Sequence, residues 1–173
     1  MLIAVEEFRR IVETDVADDV LRTRLSALET AIRKYTNNHF IVRGSERKAE
    51  IRGGKIILPS SFYIIGDTIE ILSPEYEGRV FTITSINGDE LEVDGDLRFD
   101  GKVEVVMIQY PSDVVMGAVN LLKWDISNRE KVGIKSETIS RWSVTYYDMD
   151  SNSLLGYPSS LLGFANNYKK VRF

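Results

Sequence analysis

Thr68-Ile69-Glu70-Ile71-Leu72, followed after a short gap by Val80-Phe81-Thr82-Ile83-Thr84-Ser85-Ile86-Asn87-Gly88, repeats its apolar residues at every second position. A period of two puts alternate side chains on opposite faces, which is the pattern of strands with one face in a core. Asn87-Gly88 is a tight-hairpin signal, because both central positions of the commonest two-residue turn need positive φ. Leu91-Glu92-Val93 then returns, Asp94-Gly95 turns again, and Val103 to Tyr110 closes the set. Upstream, Ile51, Gly53-Gly54 and Ile56-Ile57-Leu58 read as strand, turn, strand, and Pro74 to Gly78 reads as a turn. Several short strands at this spacing predict a small antiparallel barrel or sandwich over roughly residues 41–110.

On both sides of this region the period changes to that of a helix. Val5, Phe8 and Val12 predict a short helix from Val5 to Glu13. Thr14-Asp15 breaks it, and either residue can cap the next element. Leu21, Leu25, Leu28, Ile32 and Tyr35 step by four and three, which predicts a helix from Asp18 to Tyr35 with one apolar stripe and with Arg22, Arg24, Glu29 and Arg33 on its other faces. Asn37-Asn38 suits its end, since Asn tolerates the left-handed conformation. Beyond Pro111, a third helix runs from Asp113 to about Lys131 with Val115, Val119, Leu122 and Ile126 as its stripe, to which Ala118 adds, Ser112 as cap and Gly133 as stop. Ile139 to Tyr147 reads as extended, and Pro158 opens a short helix through Leu161, Leu162 and Ala165. The fold class is therefore α+β. An α-helical frame, residues 1–40 and 111–173, carries an inserted β-barrel-like domain, residues 41–110.

The 173 residues are 43% apolar and 28% charged, ordinary for a folded chain of one domain with a large insertion. No cysteine is present, which removes disulfides, thiolate metal sites and cysteine nucleophiles. MLIAVEEFRR reaches acid at Glu6, too early for a signal peptide, and no run approaches the length of a membrane span. The net charge of −4 speaks against a dedicated nucleic-acid binder, which would carry a basic face.

Constellations for chemistry are sparse. His39 is the only histidine, so no zinc site with a second histidine or a cysteine can form around it. Asp148-Met149-Asp150-Ser151-Asn152 has the opening of a calcium loop, but Ser153 stands at the glycine position and Ser159 where the bidentate glutamate belongs. Asp94-Gly95 and Asp100-Gly101 lie between strands, where Asp-Gly is turn chemistry and not a catalytic dyad. No phosphate-binding glycine loop and no nucleophile elbow occurs. The expectation is a non-enzymatic protein with no cofactor.

Gly66-Asp67-Thr68-Ile69-Glu70-Ile71 with Gly78-Arg79-Val80-Phe81-Thr82-Ile83 resembles small SH3-like barrels, some of which contact RNA or protein. Here Glu75, Glu77, Asp89, Glu90 and Asp96 fall in or beside the loops, and acidic loops repel phosphate. The end of the chain is unusually apolar and aromatic: Gly156-Tyr157-Pro158-Ser159-Ser160-Leu161-Leu162-Gly163-Phe164, then a basic tip. Termini fray unless something holds them. Leu161 and Leu162 are expected to fold back on the chain's own core, and the residues past Asn166 to meet a partner through Tyr and Arg, frequent interface anchors.

A larger resemblance rests on three stretches. They are the N-terminal helix pair ending Ala31-Ile32-Arg33-Lys34-Tyr35-Thr36-Asn37; the helix Val114 to Asn128 with Arg129-Glu130; and Ile134-Lys135-Ser136-Glu137-Thr138-Ile139 through Ser143-Val144-Thr145-Tyr146, with Leu161-Leu162 and Tyr168-Lys169-Lys170-Val171-Arg172-Phe173. Together they resemble the head–tail connector (adaptor, or head completion) family of tailed bacteriophages over a little more than half the chain. The β insertion departs from shorter members. The resemblance implies a structural virion protein of the head–tail neck, made in the host cytoplasm. Its partners would be the portal protein, a head-closure or other neck protein, and copies of itself in a ring of about twelve subunits. DNA would pass through the ring without sequence-specific binding, and no membrane is involved. The implied portal-docking arm is Phe164, Asn166, Asn167, Tyr168, Lys169, Lys170, Val171, Arg172 and Phe173. Trp142, Val144 and Tyr146, on one side of the extended segment, are the candidate subunit–subunit contact. The competing expectation is an SH3-like module that binds nucleic acid or protein on its own.

Overall fold

The computed structural model describes residues 1–128, 136–139, 142–145, 153–154 and 156–171. Its elements divide into two compact units. One holds residues 39–110 together with Met1, and the other holds residues 2–38 and 111–173. The chain is α+β.

The first unit is a closed barrel of six antiparallel strands: β1 (Arg47–Arg52), β2 (Lys55–Ile57), β3 (Thr68–Leu72), β4 (Val80–Asn87), β5 (Glu90–Val93) and β6 (Gly101–Ile108). The order around it is β1-β2-β5-β4-β3-β6, and β6 pairs with both β1 and β3. Closure leaves no open sheet edge, the usual hazard of short strands. Ile51, Ile56, Ile69, Ile71, Ile83, Leu91, Val105 and Phe81 point inward and form the core. Each such side chain taken out of water stabilises by about 1.5–3 kcal/mol.

The turns follow from residue type. Gly53 and Gly54 take φ of 56° and 80° between the paired residues Arg52 and Lys55, the doubly left-handed turn that two glycines permit. The β4–β5 hairpin forms where Asn87-Gly88 signals it, but one residue later. Asn87 is the last strand residue, paired with Glu90, and Gly88-Asp89 are the central pair, of which only Gly88 has positive φ. A turn with glycine first needs positive φ only there, so the asparagine is free to join the ladder. Asp94 and Asp100 serve backbone amides. Asp94 Oδ1 accepts from Thr82 N at 2.7 Å and Asp100 Oδ1 from Gly53 N at 2.9 Å. In β3 the alternation is hidden, since Thr68 and Glu70 are buried along with Ile69 and Ile71.

The second unit is helical. Its described elements include α1 (Val5–Ile11), α2 (Asp18–Thr36), α3 (Ser112–Asn128) and a C-terminal 3-10 helix, Ser159–Tyr168. Leu21, Leu25, Leu28 and Ile32 of α2 are buried as the stripe predicts. Glu29 and Arg33, expected on the outer faces, are buried too. A helix face can be covered through charged side chains, which a count of apolar positions does not register. Asn37 ends α2 in the left-handed conformation at φ 50°.

Two local readings need correction. Neither Thr14 nor Asp15 caps α2: the position belongs to Ala17, with no side-chain cap bond. Arg9 organises this turn instead. Its guanidinium donates to Thr14 O at 2.6 Å, to Val16 O, and to Asp18 Oδ1 at 2.6 Å. In α3, Ala118, Val119 and Leu122 of the predicted stripe are buried, Val115 and Ile126 are only half-buried, and the buried face extends to Val114, Gly117, Leu121 and Asp125. The buried face is wider than the predicted stripe, and at Gly117 it admits the Phe164 ring at close range. One residue later than expected, Pro158 flanks the last helix and Ser159 begins it.

Within the stretch expected to be extended, residues 142–145 form a strand, and it pairs with a second strand that ends at Ile139, where that stretch begins. These are β7 (Ser136–Ile139) and β8 (Trp142–Thr145), in register Ile139↔Trp142 and Glu137↔Val144. A further two-residue pair joins β9 (Ser153–Leu154) to β10 (Tyr157–Pro158).

Candidate functional site

The C-terminal segment is built from an apolar anchor and a polar extension. Leu162 and Ala165 are buried. Tyr157 stacks edge-on against Trp124 of α3 with centroids 5.6 Å apart. The Phe164 ring lies so close to Gly117 that a Cβ built there would be 2.5 Å from Phe164 Cζ. Glycine is the only residue whose backbone admits the ring at that distance.

Past the anchor the contacts become polar. Tyr35 OH donates to Asn166 Oδ1 at 2.8 Å. Tyr168 OH donates to the Asp113 carboxylate, 2.7 Å from Oδ1. Asn38 Nδ2 donates to Tyr168 O at 3.2 Å, Lys170 N to Thr36 O at 2.8 Å, and Asn37 Nδ2 to Val171 O at 3.2 Å. Lys169 Nζ lies 4.0 Å over the Tyr35 ring, a cation–π contact. The segment is thus laid across the end of α2 and the start of α3. A hydrophobic pattern could not foresee this, because asparagine, tyrosine and lysine hold it. Asn38 and Tyr35 were the available signals, since polar groups at a helix end seek partners.

Asp113 sits in the first turn of α3, where the helix dipole favours an anion. The hydrogen bond to its carboxylate, then burial, raise the pKa of the Tyr168 phenol. The protonated phenol is the donor. The contact is complete below the ordinary tyrosine range and is lost as pH rises through the raised value.

Of the arm residues named from the sequence, Phe164 is the half-buried ring against Gly117, Asn166, Tyr168, Lys169, Lys170 and the Val171 carbonyl make the contacts above, and Asn167 is exposed. Arg172, Phe173 and Tyr146 lie outside the described residues. Trp142 and Val144 fall in β8, whose backbone alone is described.

The barrel offers different chemistry. His39 Nδ1 lies 3.1 Å from Oε2 of buried Glu70, beside a cavity of about 330 Å³ that Glu77 also lines. Among the described residues no group of three His, Cys, Asp or Glu could hold a metal. Three of the cations on the strands and turns are met by carboxylates. Lys55 reaches Glu90 at 2.9 Å and Glu92 at 3.2 Å, Arg52 reaches Glu50 at 2.8 Å, and Arg98 reaches Asp96 at 2.6 Å. The hydrogen bond to Glu90, then that to Glu92, raises the Lys55 pKa. Such cations are already neutralised and attract phosphate weakly.

No family model matches the chain, and no curated protein matches it. No helix among the described residues is long and apolar enough to cross a membrane.

Proposed function

We propose that the chain is a head–tail connector subunit of a tailed bacteriophage, a structural protein that forms a ring between the portal and the next neck protein. In this reading the helical unit is the connector frame, DNA passes through the ring, and the protein belongs to the virion neck. One observation carries it furthest. After a buried anchor, residues 166–171 make polar and cation–π contacts at the ends of two helices. The bonds made by Tyr35, Tyr168 OH and Asn37 are exposed, and exposed hydrogen bonds contribute little net stability, because water replaces them readily. The segment can therefore exchange them for a partner's surface, while Leu162 and Ala165 keep its root in place. Its aromatic and basic residues suit it to such an interface.

The test is the mass of the species formed on mixing the protein with the portal ring. A stoichiometric complex is expected. Truncation after Ala165 should weaken it at least tenfold, roughly the loss of one good anchor, while thermal unfolding stays close to that of the full chain. Unchanged binding by the truncated chain would remove the arm assignment.

The second reading, a barrel that works as an independent binding module, draws on the exposed apolar side chains Phe62, Ile64 and Ile65, which suit protein more than nucleic acid. Binding to single- or double-stranded DNA or RNA at low salt is expected to be absent. Tight binding that falls steeply with salt would reinstate a nucleic-acid role.

A further inference from the structure

The β2–β3 connection exposes three large apolar side chains together. Phe62 is 63% exposed, Ile64 69% and Ile65 63%. They are not on a loose loop. Tyr63 between them is buried at 6% and anchors the turn in the barrel core. Tyr63 N donates to Ser60 O at 2.9 Å, Ile64 N to Asp67 Oδ2 at 2.9 Å, and Gly66 N to Ile83 O at 2.8 Å. Ser60 Oγ donates to Gly88 O. The Arg47 guanidinium stacks over the Phe62 ring at 4.8 Å. The knob is preorganised, so seating it costs little ordering entropy.

Beside it lies a receptor. Phe62 stacks on Arg47 at the start of β1, and the next three residues of that strand line a cavity of about 750 Å³. Its apolar lining comes from Ile57, Pro59 and the exposed Leu72, with Ala49, Leu58 and Val103, which are themselves buried in the barrel core, behind them. Its charged lining is Lys48 and Lys102 against Glu50, Asp89 and Glu104, an excess of one negative charge. The knob brings Arg47, one positive charge, with its phenylalanine.

We propose that this face binds a second copy of itself about a two-fold axis, each knob seating in the other's cavity. Knob and cavity are neighbours on the barrel: Pro59 of the cavity runs directly into the knob, and Arg47 against Phe62 is followed by Lys48 of the cavity. That arrangement is self-complementary under a two-fold rotation, whereas a head-to-tail ring contact needs the two on opposed sides. Three such side chains present roughly 350 Å² and the open wall of the cavity less than half of that, so a single knob would bury roughly 500 Å² counting both partners, below the size of a specific interface. Two reciprocal knobs bury roughly 1,000 Å², the lower bound for a specific interface and the size of a weak dimer. The contact is independent of the connector reading.

Sedimentation velocity of the full chain, in a series reaching near-millimolar protein, is the test. A monomer–dimer equilibrium that stops at two is expected. The knob variant Phe62→Ser/Ile64→Ser/Ile65→Ser and the cavity variant Leu72→Glu should each weaken it roughly 30-fold or more. An equal mixture of the two variants should pair better than either alone, because one intact knob then meets one intact cavity. Thermal unfolding checks that each variant folds, and Ile64→Lys replaces the triple variant if it does not. A monomer at every concentration, an oligomer of any size unaffected by both variants, or a mixture no better than its components would each overturn the proposal.

Discussion

Gly117→Ala is expected to lower stability by about 2 kcal/mol, although alanine in a helix interior normally adds about 1 kcal/mol over glycine. The sign is reversed by Phe164. A Cβ at position 117 would stand 2.5 Å from Phe164 Cζ, and neither the helix backbone nor the ring can stay where it is. In a Phe164→Ala background the same substitution should stabilise by the ordinary helix increment, about 1 kcal/mol. The coupling between the two sites is then about 3 kcal/mol, at the upper end for residues in contact. Thermal or urea unfolding of the four proteins in this cycle measures it. Additive effects would mean that the ring does not rest on Gly117. The cycle also bears on function. If Phe164 is part of the root and not of the mobile arm, its loss reduces stability, and portal binding falls only as far as the root loosens. Loss of Tyr168 and the residues after it should do the opposite.

How much of this was visible in the residues divides along physical lines. Features set by local backbone chemistry were readable: the left-handed Asn37, the Gly53-Gly54 turn, the stripe Leu21-Leu25-Leu28-Ile32, and the two-residue alternation of the barrel strands. Each depends on residues a few positions apart. The residues alone put the β4–β5 turn one position early, because Asn-Gly and Gly-Asp both make tight hairpins and only the cross-strand register separates them. Polar long-range contacts were not readable. Arg9 holding Thr14 O and Val16 O, or Tyr168 meeting Asp113 across 55 residues, leaves no periodic trace. For the same reason the residues past Asn166 were expected to find their contacts on a partner, and the structure gives several of them contacts within the helical unit. The burial of Glu29 and Arg33 was hidden by their charge. The knob at Phe62, Ile64 and Ile65 carries no mark in the residues alone, since only the fold tells an exposed apolar run from a buried one.

Phe81→Ala should be the most damaging single substitution in the barrel, at about 3–5 kcal/mol. The ring is 2% exposed in β4 and meets Tyr76 edge-on at 5.9 Å. It also fills the space above Gly95, where an added Cβ would lie 2.6 Å from Phe81 Cε1. Removing it leaves a cavity that its neighbours cannot close, because Tyr76 is fixed at its far end by a 2.9 Å hydrogen bond from Phe99 N. The loss therefore has both a transfer part and a cavity part. Arg79, 5.0 Å over the same ring, loses a cation–π contact as well, which adds about 0.5–1 kcal/mol at an exposed site. Amide hydrogen exchange reads the effect element by element, which matters in a chain of two compact units. Protection in β3, β4 and β5 should fall by at least about 100-fold, the factor that roughly 3 kcal/mol sets. The amides of α2 and α3 report whether the helical unit keeps its own stability when the barrel loses its core. If β3 to β5 kept their protection, the barrel would be held by its closed ladder of hydrogen bonds and not by the packing around Phe81.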